Sequence, residues 1–307
     1  MWRLELRALV ENFLLPGLAA LMPWRWAMAI FRRAAGWRSL YSREWLPALP
    51  QAQALMPQLE AEAWARDFRL TRLIDHADYW VSRTRGGRWR RRHMVLRGHW
   101  PAPAQAAVGV FFHWGPHLWA VDSLREAGHR SAVLAGHYSK RSVGGAWLGW
   151  LYAILRIKEL ARVSGRPLIF APGTVRQSMA TLDAGDWVIG TPDVPPSQTR
   201  LAVPVTLFGR PAWLPSGLVE IARRAQVPLV QFACALDLHT GHRELRIEAS
   251  MDPHDPQVMQ RIADRFEALL REKPAAWSLW AFAPAFFVPP PAELPAAAPE
   301  LPAEQLT

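Results

Sequence analysis

The chain has one cysteine in 307 residues, and Cys234 lies inside the apolar run Val227-Pro228-Leu229-Val230-Gln231-Phe232-Ala233-Cys234. That excludes a disulfide framework and a cysteine metal site, and it points to a buried, inert thiol. No repeat occurs at the periods of solenoids or propellers. His76, His93, His99, His129, His137, His239, His242 and His254 have no spacing that argues for zinc, so no metal is expected. No RNP, zinc-finger or heptad pattern accompanies the basic residues, which argues against a nucleic-acid partner. A clean membrane span is also lacking. The apolar stretch from Phe13 to Phe31 contains Pro16, Pro23 and Arg25. About 20 apolar residues are needed to cross a bilayer, and a central arginine costs roughly 2.5–3.5 kcal/mol. Arginines on both sides of that stretch and the lack of a small-residue cleavage site argue against a secretory signal.

What is present is a large supply of core. Half of the residues are apolar, and 307 residues are enough for one large α/β domain with a decorated terminus, or for two small ones. The formal net charge is +10, nearly all of it arginine, and there are seventeen tryptophans. The two together suggest an anionic membrane interface, where each basic side chain contributes about 1 kcal/mol. A solvated, arginine-rich face is the plainer explanation of the same charge. The Phe13 to Phe31 stretch reads as a broken helix lying in a membrane interface, with Trp24 and Trp26 at its boundary, or else as a hydrophobic helix folded onto the domain. The chain accordingly divides into a membrane-associated helical segment (1–40), a basic helical layer (41–104), an α/β domain (105–287) and a Pro/Ala-rich tail (288–307) unable to order itself.

The α/β pattern begins at Ala107–Phe112, a short buried strand, and continues with a helix from Pro116 to Ala127 and a strand from Ser131 to Gly136. A helix over Ser142–Leu160, a strand over Pro167–Ala171, a helix over Val175–Asp183 and a strand over Asp186–Gly190 follow. After a strand over Leu201–Phe208, residues 209–217 read as a loop, followed by a helix over Leu218–Ala225 and a strand over Pro228–Leu236. A hairpin at 239–242, a strand over Glu244–Glu248 and a helix over Asp255–Glu272 complete a mixed central sheet flanked by helices. His113 ends the first strand beside Gly115-Pro116, where open α/β sheets present reactive side chains. It is therefore a candidate general base.

His113-Trp114-Gly115, Gly185-Asp186-Trp187-Val188-Ile189, Asp193, Leu207-Phe208-Gly209-Arg210-Pro211-Ala212, Ser216-Gly217 and Trp277-Ser278-Leu279-Trp280 occur in an order and spacing that resemble the bacterial lipid A late acyltransferases and their lysophospholipid acyltransferase relatives. The resemblance covers about residues 105 to 285. It implies the lysophospholipid acyltransferase-like fold, at the cytoplasmic face of a bacterial inner membrane. It also implies transfer of a fatty acyl group from an acyl carrier protein or coenzyme A thioester to a hydroxyl of a lipid acceptor. The thioester is a co-substrate, and no resident cofactor is implied.

In that family the histidine is followed five positions later by a carboxylate, and here that position is Leu118. Two repairs are open. Asp122, one helical turn beyond Leu118, could orient His113 directly or through water. Alternatively the register shifts to His117 with Asp122, although within a helix those two lie about 140° apart. A broken dyad also fits a lipid-binding or accessory protein that has lost catalysis. Oxyanion donors are expected from backbone N–H groups around Gly115 at the start of the following helix. Asp193 matches an acidic position of the family and is expected to line the cleft, together with Ser216 and Gly217. Lys140, Arg141, Arg176, Arg200 and Arg210 are the candidates for a headgroup phosphate. The family's arginine-bearing ending after the late tryptophan is here Ala281-Phe282-Ala283-Pro284, an apolar replacement that counts against a sugar-phosphate acceptor.

Overall fold

The computed structural model describes residues 2–136, 145–171, 173–199 and 201–290. His137, Lys140, Arg141, Arg200, the start of the helix expected at Ser142 and the tail from 291 onward lie outside the described residues.

Residues 2–93 are mostly helical: α1 (Trp2–Leu9), a π-helical turn (Val10–Leu14), α2 (Leu15–Leu21), α3 (Trp24–Ala34), α4 (Ser42–Leu55), α5 (Ala61–Thr84) and α6 (Gly87–His93). Then follow β1 (Met94–Arg97), β2 (Val108–Val110), α7 (Leu118–Glu126), β3 (Ser131–Ala135), α8 (Trp147–Ser164), β4 (Ile169–Phe170), α9 (Thr174–Asp183) and β5 (Trp187–Gly190). The chain continues through β6 (Ala202–Leu207), β7 (Arg210–Pro215), α10 (Gly217–Ala225), β8 (Leu229–Leu236), β9 (Arg243–Ile247) and α11 (Val258–Glu272), and ends in 3₁₀ turns over Trp280–Phe287.

Seven strands form one sheet in the order β1-β9-β8-β2-β5-β3-β4. Neighbours are parallel except β8 and β9, which pair antiparallel across the expected hairpin. β2, β5 and β8 are buried along their whole length. They read as continuous apolar runs because helices cover both faces of the sheet. One core cluster joins α4, α10, α11 and the Trp277–Phe286 segment on one face, and the other joins α3, α5 and α7 on the opposite face.

Two expectations are corrected. Residues 94–97, expected in a helical layer, form edge strand β1 beside β9, so the 41–104 segment contributes to the sheet. Residues 210–215, expected as a loop, form β7 paired antiparallel with β6. Phe208 and Gly209, with φ of 53° and 69°, make the two-residue turn that such a hairpin requires. Pro211 and Pro215 disguised the strand, because proline is tolerated only where a strand lacks a second neighbour.

Eight of the seventeen tryptophans are buried, among them Trp187, Trp277 and Trp280 at no more than 1% exposure. The tryptophan excess is thus in large part packing. The N-terminal helices are fastened to the sheet by Arg243 of β9. Its guanidinium pairs with Asp78 of α5, both side chains fully buried, and lies 4.8 Å from the Trp24 ring centroid and 4.0 Å from that of Trp119. Among the described residues no helix is long and apolar enough to cross a membrane.

Candidate active site

β2 and β5 are adjacent parallel strands with Val110 opposite Gly190. His113 and Asp193 each lie three residues further on, so the strand register delivers both to the same end of the sheet. The His113 Nδ1 lies 2.9 Å from Asp193 Oδ1, the His113 backbone N–H donates to Asp193 Oδ2 over 2.7 Å, and the Trp277 Nε1–H donates to the same oxygen over 2.8 Å. Asp193 is fully buried, whereas the His113 side chain is 32% exposed. Burial alone would lower the His113 pKa, but the Asp193 carboxylate outweighs it and raises the imidazole above its ordinary 6.5. With Nδ1–H donated to Asp193, Nε2 carries the lone pair of the neutral ring.

The segment after α11 holds this arrangement. His113 O accepts from Ser278 N–H over 2.9 Å, Trp114 bridges to Trp277, and Gly115 N–H donates to Ala276 O over 2.9 Å. Gly115 has φ of +69°, and a Cβ there would stand 2.1 Å from Cys234 O, so neither the conformation nor the space admits a side chain. Its N–H is spent on Ala276, so Gly115 does not supply the oxyanion donor expected of it. Cys234 is buried and its thiol is pushed up to about 12, chiefly by burial.

His113 opens onto a cavity of about 1150 Å³ between the N-terminal helices and the carboxyl ends of β2, β3, β4 and β5. Typical small-ligand pockets hold about 300–1,000 Å³, so there is space for a long chain with a polar end. Ile157 and Leu160 of α8, Val133 of β3 and Phe282 supply apolar wall, and Glu11, Asp75 and Arg156 supply polar wall.

The polar wall was not anticipated. Asp75 of α5 is bracketed by Arg156, at 2.9 and 3.2 Å to its two oxygens, and by Arg72 at 3.0 Å, while Arg72 also donates to Glu44 over 2.6 Å. Burial would raise the Asp75 carboxyl, but Arg156 and Arg72 outweigh it and hold it far below the usual carboxylate range. Tyr152 adjoins this group through a contact of 2.9 Å between its hydroxyl and His76 Nδ1. Burial pushes Glu11 up to about 7 against the opposing Tyr41 N–H and Arg7. The available signal was α5 itself, whose buried stretch carries Arg69, Thr71, Asp75, His76 and Asp78 among apolar neighbours. A polar stripe on a buried helix marks a wet surface or an ion-pair network.

The remaining candidates separate cleanly. Asp122 does not approach His113: α7 begins at Leu118 rather than Pro116, and the Asp122 carboxylate turns toward α6 and pairs with Arg90. Leu118 is buried, where it lines the cavity and packs in the core. His117 caps the start of α7 and faces the cavity, as does Gly217, while Ser216 precedes α10 with its N–H on Leu201 O. Arg210 is exposed on β7, 4.5 Å over the Phe287 ring, and Arg176 is exposed on α9; neither lines the cavity. Arg200 lies outside the described residues. Among the described residues no group of three His, Cys, Asp or Glu side chains is placed to hold a metal ion.

Compared with known families, residues 156–281 match the model of the family described as bacterial lipid A biosynthesis acyltransferase. The matched segment contains Asp193 and Trp277, and His113 precedes it. No curated protein matches the chain.

Proposed function

From the place of residues 156–281 in the lipid A acyltransferase-like family, we propose that this chain transfers a fatty acyl group from an acyl carrier protein or coenzyme A thioester to a hydroxyl of a lipid or glycolipid. The observation that carries the reading is the His113–Asp193 pair at the edge of a cavity of about 1150 Å³. His113 Nε2 removes the proton from the acceptor hydroxyl, Asp193 fixes the tautomer and stabilises the imidazolium, and the oxygen attacks the thioester carbonyl. Collapse of the tetrahedral intermediate breaks the C–S bond, and the thiolate takes the proton from His113. No covalent enzyme intermediate is required.

The supply route supports a bilayer-borne acceptor. α1 and the π-helical turn line the cavity through Leu4, Ala8 and Glu11, while Trp2, Leu6 and Leu14 of the same stretch are exposed, with Leu21 and Trp26 beyond them. Exposed apolar side chains interleaved with Arg3 and Arg25 suit the headgroup boundary of an anionic leaflet, as at the cytoplasmic face of an inner membrane. Ala281 and Phe282 on the cavity wall favour an acceptor less charged than a sugar phosphate.

The test is release of free thiol from lauroyl- and palmitoyl-CoA, and from the corresponding acyl carrier protein thioesters, in the presence of a mixed lysolipid extract. Turnover that is lost in His113→Ala and retained in Asp122→Ala supports this reading. Absence of turnover by the wild type with every donor, alongside intact binding to anionic vesicles, supports a lipid-binding protein instead.

A further inference from the structure

We propose that His117 is a second catalytic group, a neutral imidazole whose N–H holds the thioester carbonyl oxygen and the oxyanion that develops on it. The inference rests on the acyl-transfer reading above and assigns the electrophilic half of that site.

Three observations place it there. His117 and His113 flank one aromatic plate: the Phe111 ring centroid is 5.2 Å from the His117 ring and 6.4 Å from the His113 ring, and all three residues line the cavity. Among the described residues neither ring nitrogen of His117 has a hydrogen-bond partner, although His113, His76, His93 and His129 are each engaged. A neutral imidazole always carries one N–H. On a cavity wall with no protein acceptor, that donor is available to a substrate oxygen. Finally, His117 is the N-cap of α7, whose first N–H groups have no intrahelical partner, and the positive end of a helix favours developing negative charge.

The surroundings keep the ring neutral. The charged and titratable groups facing it are Asp75 and Arg72 of α5, Arg156 of α8 and His113 of the β2 loop. Asp75 could have made His117 basic, yet both its oxygens are held by Arg156 and one also by Arg72. Burial, Arg156, His113 and Arg72 therefore prevail over Asp75, and the ring is lowered to about 4. His113 is raised by Asp193, so the two histidines are pushed apart. Pairs of titratable groups separated in this way divide into a base and a non-basic partner. In the assigned step the hydroxyl proton moves to His113 Nε2 and the new O–C bond forms. The carbonyl π pair then settles on the oxygen, where it accepts from His117 N–H until the C–S bond breaks.

The experiment compares wild type, His117→Phe, His117→Gln and His113→Ala in thiol release from palmitoyl-CoA with a lysolipid acceptor across pH. Phenylalanine keeps the packing against Phe111 and removes the donor, whereas glutamine restores an N–H. The expected result is a fall in kcat of about 10²–10³ in His117→Phe, the usual effect of deleting one oxyanion donor. KM for the thioester should change little, kcat should partly recover in His117→Gln, and the acid limb governed by His113 should persist in both. Retention of wild-type kcat in His117→Phe, with His113→Ala inactive, overturns this inference and leaves acyl transfer standing. Loss of the acid limb in His117→Phe also overturns it, since His117 would then be the base. A wild type without turnover of any thioester overturns the acyl-transfer reading and this inference with it.

Discussion

Asp193→Asn tests the proposed dyad most directly, because the buried carboxylate faces three donors and acceptance is its whole task. Oδ2 accepts from His113 N–H at 2.7 Å and Trp277 Nε1–H at 2.8 Å, while Oδ1 faces His113 Nδ1 at 2.9 Å. An asparagine amide keeps one acceptor oxygen. If that oxygen takes the Oδ2 place, both fixed donors stay satisfied and the NH₂ faces Nδ1, which must then act as acceptor. The ring proton moves to Nε2 and the base is in the wrong tautomer. If the amide flips, two donors face an NH₂, at a cost of about 1–3 kcal/mol for each group left unsatisfied. The first orientation therefore wins, and the fold survives with its chemistry impaired. The corresponding change in a Ser-His-Asp triad, where the buried carboxylate likewise fixes the base's tautomer, lowers kcat about 10⁴-fold. We expect a loss of that order in thiol release, at a stability cost of about 1–3 kcal/mol in urea titration, since a charge-assisted bond is also lost. The acid limb of kcat/KM should move to lower pH, because the carboxylate that raises His113 is gone. Activity within tenfold of wild type in a folded Asp193→Asn protein refutes the dyad.

Other variants report on the surroundings of the pair. Gly115→Ala forces a Cβ against Cys234 O in a left-handed conformation, and strain of this kind costs of order 1–3 kcal/mol; a lowered urea midpoint together with reduced turnover is expected, and an unchanged midpoint counts against the clamp described above. Glu11 has a folded-state pKa raised from 4.5 to about 7, so ionisation opposes folding and stability falls as pH rises between those values. Glu11→Gln should accordingly stabilise the protein by up to roughly 3 kcal/mol at pH 9 and hardly at all at pH 4, a difference that denaturation at the two pH values resolves. The His113 contribution runs in the same direction with pH, although here it is the protonated form that gains a partner. Its folded pKa is raised above 6.5, so the stabilisation by Asp193 is full below that value and is lost as pH rises through the folded pKa, a trend that Asp193→Asn should flatten.

Much of the sheet was legible because its strands are short apolar runs punctuated by Gly and Pro, and the residues at their ends announced a site. His113 stood out at a strand end beside Gly115-Pro116, and Asp193 at another. Their pairing was not legible, because strand neighbours in a parallel sheet are set by long-range order rather than by local spacing. β2 meets β5 only after β3 and β4 have been placed elsewhere in the sheet. β1 and β7 were missed for a different reason. An exposed edge strand such as Met94–Arg97 lacks the alternation that one buried face imposes, and β7 contains two prolines. The polar wall around Asp75 escaped because each charged residue of α5 reads singly as a solvated position. Only the packing of α8 against the cavity brings Arg156 to it.

If His113 is the base, as proposed, the absence of a carboxylate at Leu118 means that the base is held differently. A helix-borne partner would depend on the first turn of α7 and on little else. A partner from the β5 loop depends on the β2–β5 register, and Trp277 adds a third segment by donating to the same carboxylate. On the proposed reading, in which Asp193 orients His113, Leu118 serves the cavity wall and Asp122 binds α6 through Arg90. The site thereby becomes sensitive to the core: displacing β5 by a single residue would carry Asp193 about 3.3 Å from its position opposite His113, beyond hydrogen-bonding reach. The His113–Asp193 geometry is a property of the assembled sheet, and the local sequence around His113 does not contain it.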